Sequence, residues 1–337
     1  MGTVVRALVR GGILAGAVIG LSGCANFHPL QDEKEVIIRS GSSDSAQARR
    51  PLLAKDYAGH YVRYAIFALR AYDEKGSETR WKKLPPSAKI WIAGWHPEPP
   101  VEGPLPCPDG APCGLRLPGI GYQVWRRNDC KEIVIAFRGT EFERLDDWMS
   151  NLHWITRPLP IRDQYQQVRD NIEDIVNRAK QRCAGTPTIV AVGHSLGGGL
   201  AQQASYADKR IRYVYAFDPS FVTGYSDTLE QSRANSKGHK IDRVYEHGEI
   251  LAYPRFVLRH FAPPRACDPQ IRTVRFNVLT GFTFVQHDMV AVTAKLINHA
   301  GMPPAWYAKR HPPTTNSREI DPKTGRCRPG ADSGLEY

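Results

Sequence analysis

The sequence lacks the signatures of several large enzyme classes. It has no H-E-x-x-H metalloprotease motif, no Walker phosphate loop and no dinucleotide fingerprint, so nothing in it calls for a metal or an organic cofactor. Zinc-finger spacing and RNA-binding signatures are missing, and the arginines are scattered rather than clustered. Nucleic acid is therefore excluded as a partner, despite the excess of basic residues. No internal repeat is present, which excludes a solenoid. Acidic residues are the scarcer sign, 34 against 45 Lys and Arg, leaving a formal charge of +11. That balance favours solubility and attraction to anionic surfaces such as phospholipid head groups. The 337 residues suffice for one large domain with a substantial core. Oligomeric state is not legible at this level.

The first apolar run is short. Arg6 and Arg10 precede Gly11 to Leu21, a charged region and an apolar region of signal-peptide length, too short to span a bilayer permanently. It ends in Leu21-Ser22-Gly23-Cys24, which resembles the bacterial lipoprotein box. The resemblance implies cleavage after residue 23, acylation of Cys24 and stable anchoring to the cell envelope. Ala25, rather than Asp, follows the Cys, which points to the outer membrane. Six further cysteines remain: Cys107, Cys113, Cys130, Cys183, Cys267 and Cys327. An even number in an exported chain reads as disulfides. Cys107 and Cys113 flank a Pro/Gly turn. Cys130 and Cys183 each precede an apolar strand, so neighbouring parallel strands would join them. Cys267 with Cys327 follows by elimination.

Periodicity divides the rest. Residues 24–54 read as a polar tether, 55–302 as the folded domain, 95–118 as a Pro/Gly-rich insertion and 303–337 as an irregular tail. Apolar residues at helical spacing place helices over Lys55–Tyr72, Ile161–Arg182, Leu196–Ala207 and Asp288–His299. Continuous apolar runs place buried strands at 132–137 and 188–192, with further strands at 121–125, 212–217, 241–245 and 271–276. Alternating strands and helices predict an α/β fold with a mostly parallel central sheet covered on both faces.

The chemistry starts where strand 188–192 runs into Gly193-His194-Ser195-Leu196-Gly197. This is G-x-S-x-G between a strand and a helix, the nucleophile elbow. A turn that tight leaves no room for side chains beside the serine, hence the glycines. Ser195 then stands at a helix amino end, where free N–H groups favour developing negative charge. One oxyanion donor is the N–H of Leu196. Thr140, after the strand ending at Phe137, is the expected second. A serine nucleophile needs a base, and the base an orienting acid, in the chain order Ser, acid, His. His287, before the final helix, is the expected base, ahead of His260. His194 is pinned by the elbow and cannot turn back to the serine oxygen. Glu249 is the expected acid, with Asp218 and Glu246 as alternatives.

Phe137-Arg138-Gly139-Thr140, the segment Asp147-Trp148 to Asn151-Leu152, and Gly193-His194-Ser195-Leu196-Gly197-Gly198 together resemble the class 3 (fungal-type) lipase family. The match is specific from Glu132 to Ala201 and thins to motif order as far as Ile297. It implies an α/β-hydrolase fold, a Ser–acid–His triad and hydrolysis of lipid or other carboxylic esters. His287 occupies the family's histidine position. Glu249 occupies its acid position, where the family usually has Asp. Phe142, Leu145, Trp148, Met149 and Leu152 would form the apolar face of a lid. The expected function is thus a lipase or phospholipase at the cell envelope, with a lipid or ester substrate. The alternatives are a non-lipolytic esterase, thioesterase or acyltransferase on the same fold, or a non-catalytic envelope lipoprotein.

Overall fold

Three neighbouring strands are mostly apolar because both of their faces are covered. In a computed structural model that describes residues 35–39, 52–73, 79–98, 120–139, 164–225, 235–252, 266–267 and 269–303, they are β5 (Glu132–Phe137), β6 (Thr188–His194) and β7 (Ile211–Phe217). Successive side chains alternate between two cores. Val134, Ala136, Val190, Val192, Tyr215 and Phe217 face one. Ile135, Phe137, Ile189, Ala191, Val214 and Ala216 face the other. The first core is closed by α1 (Ala54–Arg70) and α4 (Met289–Ala300), which pack on each other. The second is closed by α2 (Gln164–Gln181) and α3 (Leu196–Ala207).

β8 (Lys240–Glu246) and β10 (Gln270–Phe276) extend the parallel set, with β4 (Tyr122–Arg127) and β3 (Trp95–Pro97) at one side and β1 (Glu35–Arg39) and β2 (Leu52–Leu53) at the other. The order is β2-β1-β10-β8-β7-β6-β5-β4-β3, and β9 (Ala266–Cys267) pairs with β10. β5, β6, β7, β8 and β10 are mutually parallel, whereas the outer strands run antiparallel. This is the mostly parallel sheet expected from the alternation, in the α/β-hydrolase arrangement that the resemblance implied. The carboxyl ends of the parallel strands share one edge of the sheet, where α/β folds place their sites.

Two expectations need correction. The stretch read as a tether contributes β1 and β2 to the sheet. Val36 is buried, and β1 pairs with β10 from Val36↔Phe276 to Arg39↔Thr273. An outer antiparallel strand needs no long apolar run, so composition did not mark it. Likewise the Pro-rich stretch beginning at Trp95 opens with β3, paired to β4. The predicted helices otherwise hold within a few residues of their ends. α4 starts one residue late because Asp288 is its N-cap, accepting the Val290 N–H at 2.9 Å.

The Cys130–Cys183 disulfide is formed. Its logic is the sheet register: Glu132 pairs with Thr188, so the residues before both strands meet. Cys267 lies in β9. Cys24, Cys107, Cys113 and Cys327 fall outside the described residues, as do the stretches read as leader and lid, the rest of the insertion and residues 304–337. Inside the first core, Arg272 of β10 makes two bonds of 2.8 Å to Asp242 of β8, and Tyr61 of α1 donates to the same carboxylate at 3.0 Å. Burial alone would raise the Asp242 carboxyl, but the Arg272 charge and these bonds hold it below the usual carboxylate range.

Candidate active site

β6 ends at His194 and α3 begins at Leu196, so Ser195 alone makes the turn. Its backbone has φ 56° and ψ −124°, a region costly for a residue with a Cβ. Hydrogen bonds hold it there. The Ser195 N–H donates to the Phe217 carbonyl at 3.0 Å, and its own carbonyl accepts from Gly198 and Ser220, each at 3.0 Å. The steric requirement of the elbow is explicit. A Cβ on Gly193 would lie 2.2 Å from the Gly197 oxygen. One on Gly197 would lie 2.3 Å from the Phe137 oxygen and 2.9 Å from the Gly139 nitrogen. Larger residues at either position would push the elbow apart. The second contact also shows that the end of β5 lies against the elbow, which is where an oxyanion loop has to start. Thr140 itself is outside the described residues, and so is His260.

The loop after β8 carries Glu249, and the loop after β10 carries His287 in a single turn, Val285–His287. The two meet: His287 Nδ1 lies 2.7 Å from Glu249 Oε2, with both side chains buried. The same Glu249 oxygen accepts the Leu251 N–H at 2.8 Å, which fixes the carboxylate on its own loop. Oriented to donate, the Gln286 amide reaches the carbonyls of Gly248 at 2.7 Å and His247 at 3.1 Å, stitching the two loops together. Because Glu249 accepts, Nδ1 carries the hydrogen and Nε2 is the basic nitrogen of the ring.

The alternative acids have other partners. Asp218, at the end of β7 with φ 37°, accepts the Glu246 N–H at 2.8 Å. Glu246 accepts the N–H groups of Val278 (2.8 Å) and Leu279 (3.0 Å) through one oxygen. It thereby fastens the start of the His287 loop to the end of β8. Burial, with the nearby Asp218 adding to it, pushes the Glu246 carboxyl up to about 8.

His194 is a structural tie. Nε2 lies 2.9 Å from the His287 carbonyl, and Nδ1 lies 3.0 Å from the Tyr72 hydroxyl. A carbonyl only accepts, so Nε2 holds the hydrogen and Nδ1 is an acceptor; the single Tyr72 hydroxyl hydrogen faces both Nδ1 and, at 3.2 Å, the His194 carbonyl. Burial, reinforced by the facing His287, drives the His194 pKa far down and keeps the ring neutral. Tyr72 stands just past the end of α1, so this helix is linked through His194 to the backbone of the candidate base. Nothing in the sequence marked Tyr72 beyond its place at the end of the expected helix. His194, Asp218 and His287 bring ligand-type atoms within 4.8 Å of one another. Since both His194 nitrogens are committed to Tyr72 and His287, the cluster is a hydrogen-bonded frame rather than a metal ligand set.

Beside His287 and His194 is a cavity of about 270 Å³, whose wall includes Leu69, Tyr72 and Met289, together with Arg80, Lys83 and Phe284.

Comparison with known proteins places this geometry. A family model described as phospholipase-like, a Tle-like phospholipase domain, matches residues 63–253, more than half of the chain. The chain is 31% identical over 115 residues to an extracellular phospholipase A1 of Serratia liquefaciens, covering 34% of this chain and 32% of that protein. It therefore spans about a third of the length of that curated relative. Among solved structures it is similar to the Lip2 lipase of Yarrowia lipolytica (TM-score 0.42, 15% identity, 60% of this chain and 75% of that one). Lipase II of Rhizopus niveus is also similar (TM-score 0.37, 18% identity, 61% and 77%). Sheet order and elbow carry the fold assignment independently of these scores. The chain belongs to the phospholipase-like family defined by the Tle-like phospholipase domain.

Proposed function

We propose that the domain is a serine phospholipase in which Ser195 is the nucleophile, His287 the general base and Glu249 the orienting acid. The observation that carries this reading is the buried 2.7 Å bond between His287 and Glu249, on loops at the same sheet edge as the strained Ser195 elbow. Ser195 Oγ attacks the ester carbonyl carbon and its proton passes to His287 Nε2. The carbonyl electron pair moves onto oxygen, where the N–H groups of Leu196 and Thr140 receive it. Collapse of this intermediate breaks the bond to the alcohol, and His287 protonates the leaving oxygen. Water then attacks the acyl-enzyme by the same route and frees a carboxylate. Glu249 keeps the imidazole in the required tautomer and stabilises it when charged.

A lipid anchor on Cys24 would hold the domain at the outer membrane of a bacterial envelope, within reach of phospholipid. The short apolar run ending in Leu21-Ser22-Gly23-Cys24 supports this placement, and the extracellular relative supports export alone. A fluorophosphonate probe tests the chemistry. It should label the wild-type chain and spare Ser195→Ala, and phospholipid vesicles should release fatty acid with the first protein only. Folded wild type that takes no label overturns the reading. Incorporation of an alkyne fatty acid, lost in Cys24→Ser, tests the anchor.

A further inference from the structure

Two unlike groups of side chains meet at the cavity beside His287. One is Arg80 and Lys83, at the turn Trp81–Lys83 that comes after α1. The Arg80 guanidinium lies over the Tyr72 ring, 4.8 Å from its centroid. Its NH1 reaches the Tyr72 carbonyl at 3.4 Å, and its backbone N–H donates to Asp73 at 3.1 Å. These contacts fix the direction of the side chain. Lys83 is exposed, with exposed Lys82 beside it. The other belongs to the loop that carries the base. Phe284 lines the cavity and is 41% exposed, while Phe282 and Val285 beside it are 84% and 47% exposed. A backbone bond of 2.9 Å from the Val285 N–H to the Phe282 carbonyl holds this loop in a turn.

Such a grouping is unusual. Large apolar side chains exposed within four residues are costly in water and mark a surface that meets another apolar phase. Among the described residues the wall also carries two cations, Arg80 and Lys83, and one acid, Asp288, whose carboxylate accepts the Val290 N–H as the N-cap of α4. His194 on this wall is neutral. The chain as a whole carries +11. A phosphate suits both cations, since guanidinium matches its oxygens in pairs and an ammonium binds it as a point charge. A neutral triacylglycerol would offer nothing to these cations.

We propose that this cavity mouth is a head-group subsite for an anionic glycerophospholipid still seated in a bilayer. Arg80 and Lys83 take the phosphate. Phe282 and Phe284 sink into the acyl layer, and the ester is presented towards His287. The proposal rests on the preceding reading and adds the charge class of the substrate and the face that meets the membrane.

The test uses the full chain on unilamellar vesicles of pure phosphatidylglycerol or pure phosphatidylcholine, with fatty-acid release expressed per fluorophosphonate-titrated site. Two cations near an anionic surface predict a preference for phosphatidylglycerol of about tenfold to thirtyfold at low salt. That preference should shrink as salt screens it. In Lys83→Gln and Arg80→Gln the ratio should fall towards one, and Arg80→Lys should restore part of it. Phe282→Ser with Phe284→Ser should lower release from both vesicle types. Equal wild-type rates on the two lipids, or a ratio unmoved by Lys83→Gln, overturns the proposal. Sedimentation of Ser195→Ala with the same vesicles separates it from the catalytic reading. That protein should still pellet with phosphatidylglycerol in preference to phosphatidylcholine, whatever the chemistry at Ser195, and failure to do so counts against the subsite alone.

Discussion

Replacing Glu249 by Gln is the sharpest test of how the buried pair works. The substitution conserves shape and leaves an oxygen able to accept from both His287 Nδ1 and the Leu251 N–H, now bonded at 2.7 and 2.8 Å. What it removes is the negative charge. In the ground state His287 is neutral, and little is lost. In the proposed mechanism the ring takes the serine proton and becomes an imidazolium whose centre is about 4 Å from the carboxylate. At an effective dielectric of about 20, that attraction is about 4 kcal/mol. At about 1.4 kcal/mol per factor of ten, Glu249→Gln should lower kcat by about a thousandfold. KM on a short soluble ester should hardly change, because the charge matters only once the proton has moved. Asp218→Asn is the control. Its Oδ1 is engaged by the Glu246 N–H, a bond that Asn can keep, so the loss should be roughly tenfold or less. Single-turnover kinetics with p-nitrophenyl butyrate, on protein shown by circular dichroism to be folded, measures both. A larger loss in Asp218→Asn than in Glu249→Gln would refute the assignment of the acid.

Glu246 makes stability pH-dependent. Its carboxyl is raised in the fold to about 8 from 4.5, so between these values the folded state holds a proton that the unfolded state has released. Stability from this group is therefore complete below about 4.5 and is lost as pH rises towards 8, by about 1.4 kcal/mol per unit. Urea midpoints across that range should fall for the wild type and flatten for Glu246→Gln, and parallel curves would contradict this. Replacing Cys130 and Cys183 together by Ser should cost about 4 kcal/mol, from the entropy of closing a loop of 53 residues, read as a lower urea midpoint. Tyr72→Phe leaves the buried His194 Nδ1 without the hydroxyl that faces it and should cost about 1–3 kcal/mol of stability. It should also lower kcat more than it changes KM, because the His287 backbone is held through His194. An unchanged kcat would show that the tie does not position the base.

What the sequence disclosed follows the range of the forces involved. β5 and β6 were legible because two-sided burial writes a nearly unbroken apolar run into adjacent residues. The elbow was legible because its constraint is local: Gly193 and Gly197 are imposed by atoms of the turn itself and of the strand beside it. Glu249 could be ranked above Asp218 only by its loop and by the acid position of the family it resembles, and both residues do stand at strand ends on one edge. Their partners differ, since the register of β7 against β8 brings Asp218 to the Glu246 N–H. β1 escaped notice because a five-residue strand on the flank of the sheet needs no long apolar run to mark it. Tyr72 escaped for a different reason. It is 122 residues from His194, and a helical stripe states which face of α1 is buried without stating how far along the sheet the helix ends. That endpoint decides whether a hydroxyl or a bare helix end meets His194. Roles set by the rotation and sliding of one element on another have no local trace, and at this site they include the hydrogen bonds that hold the base.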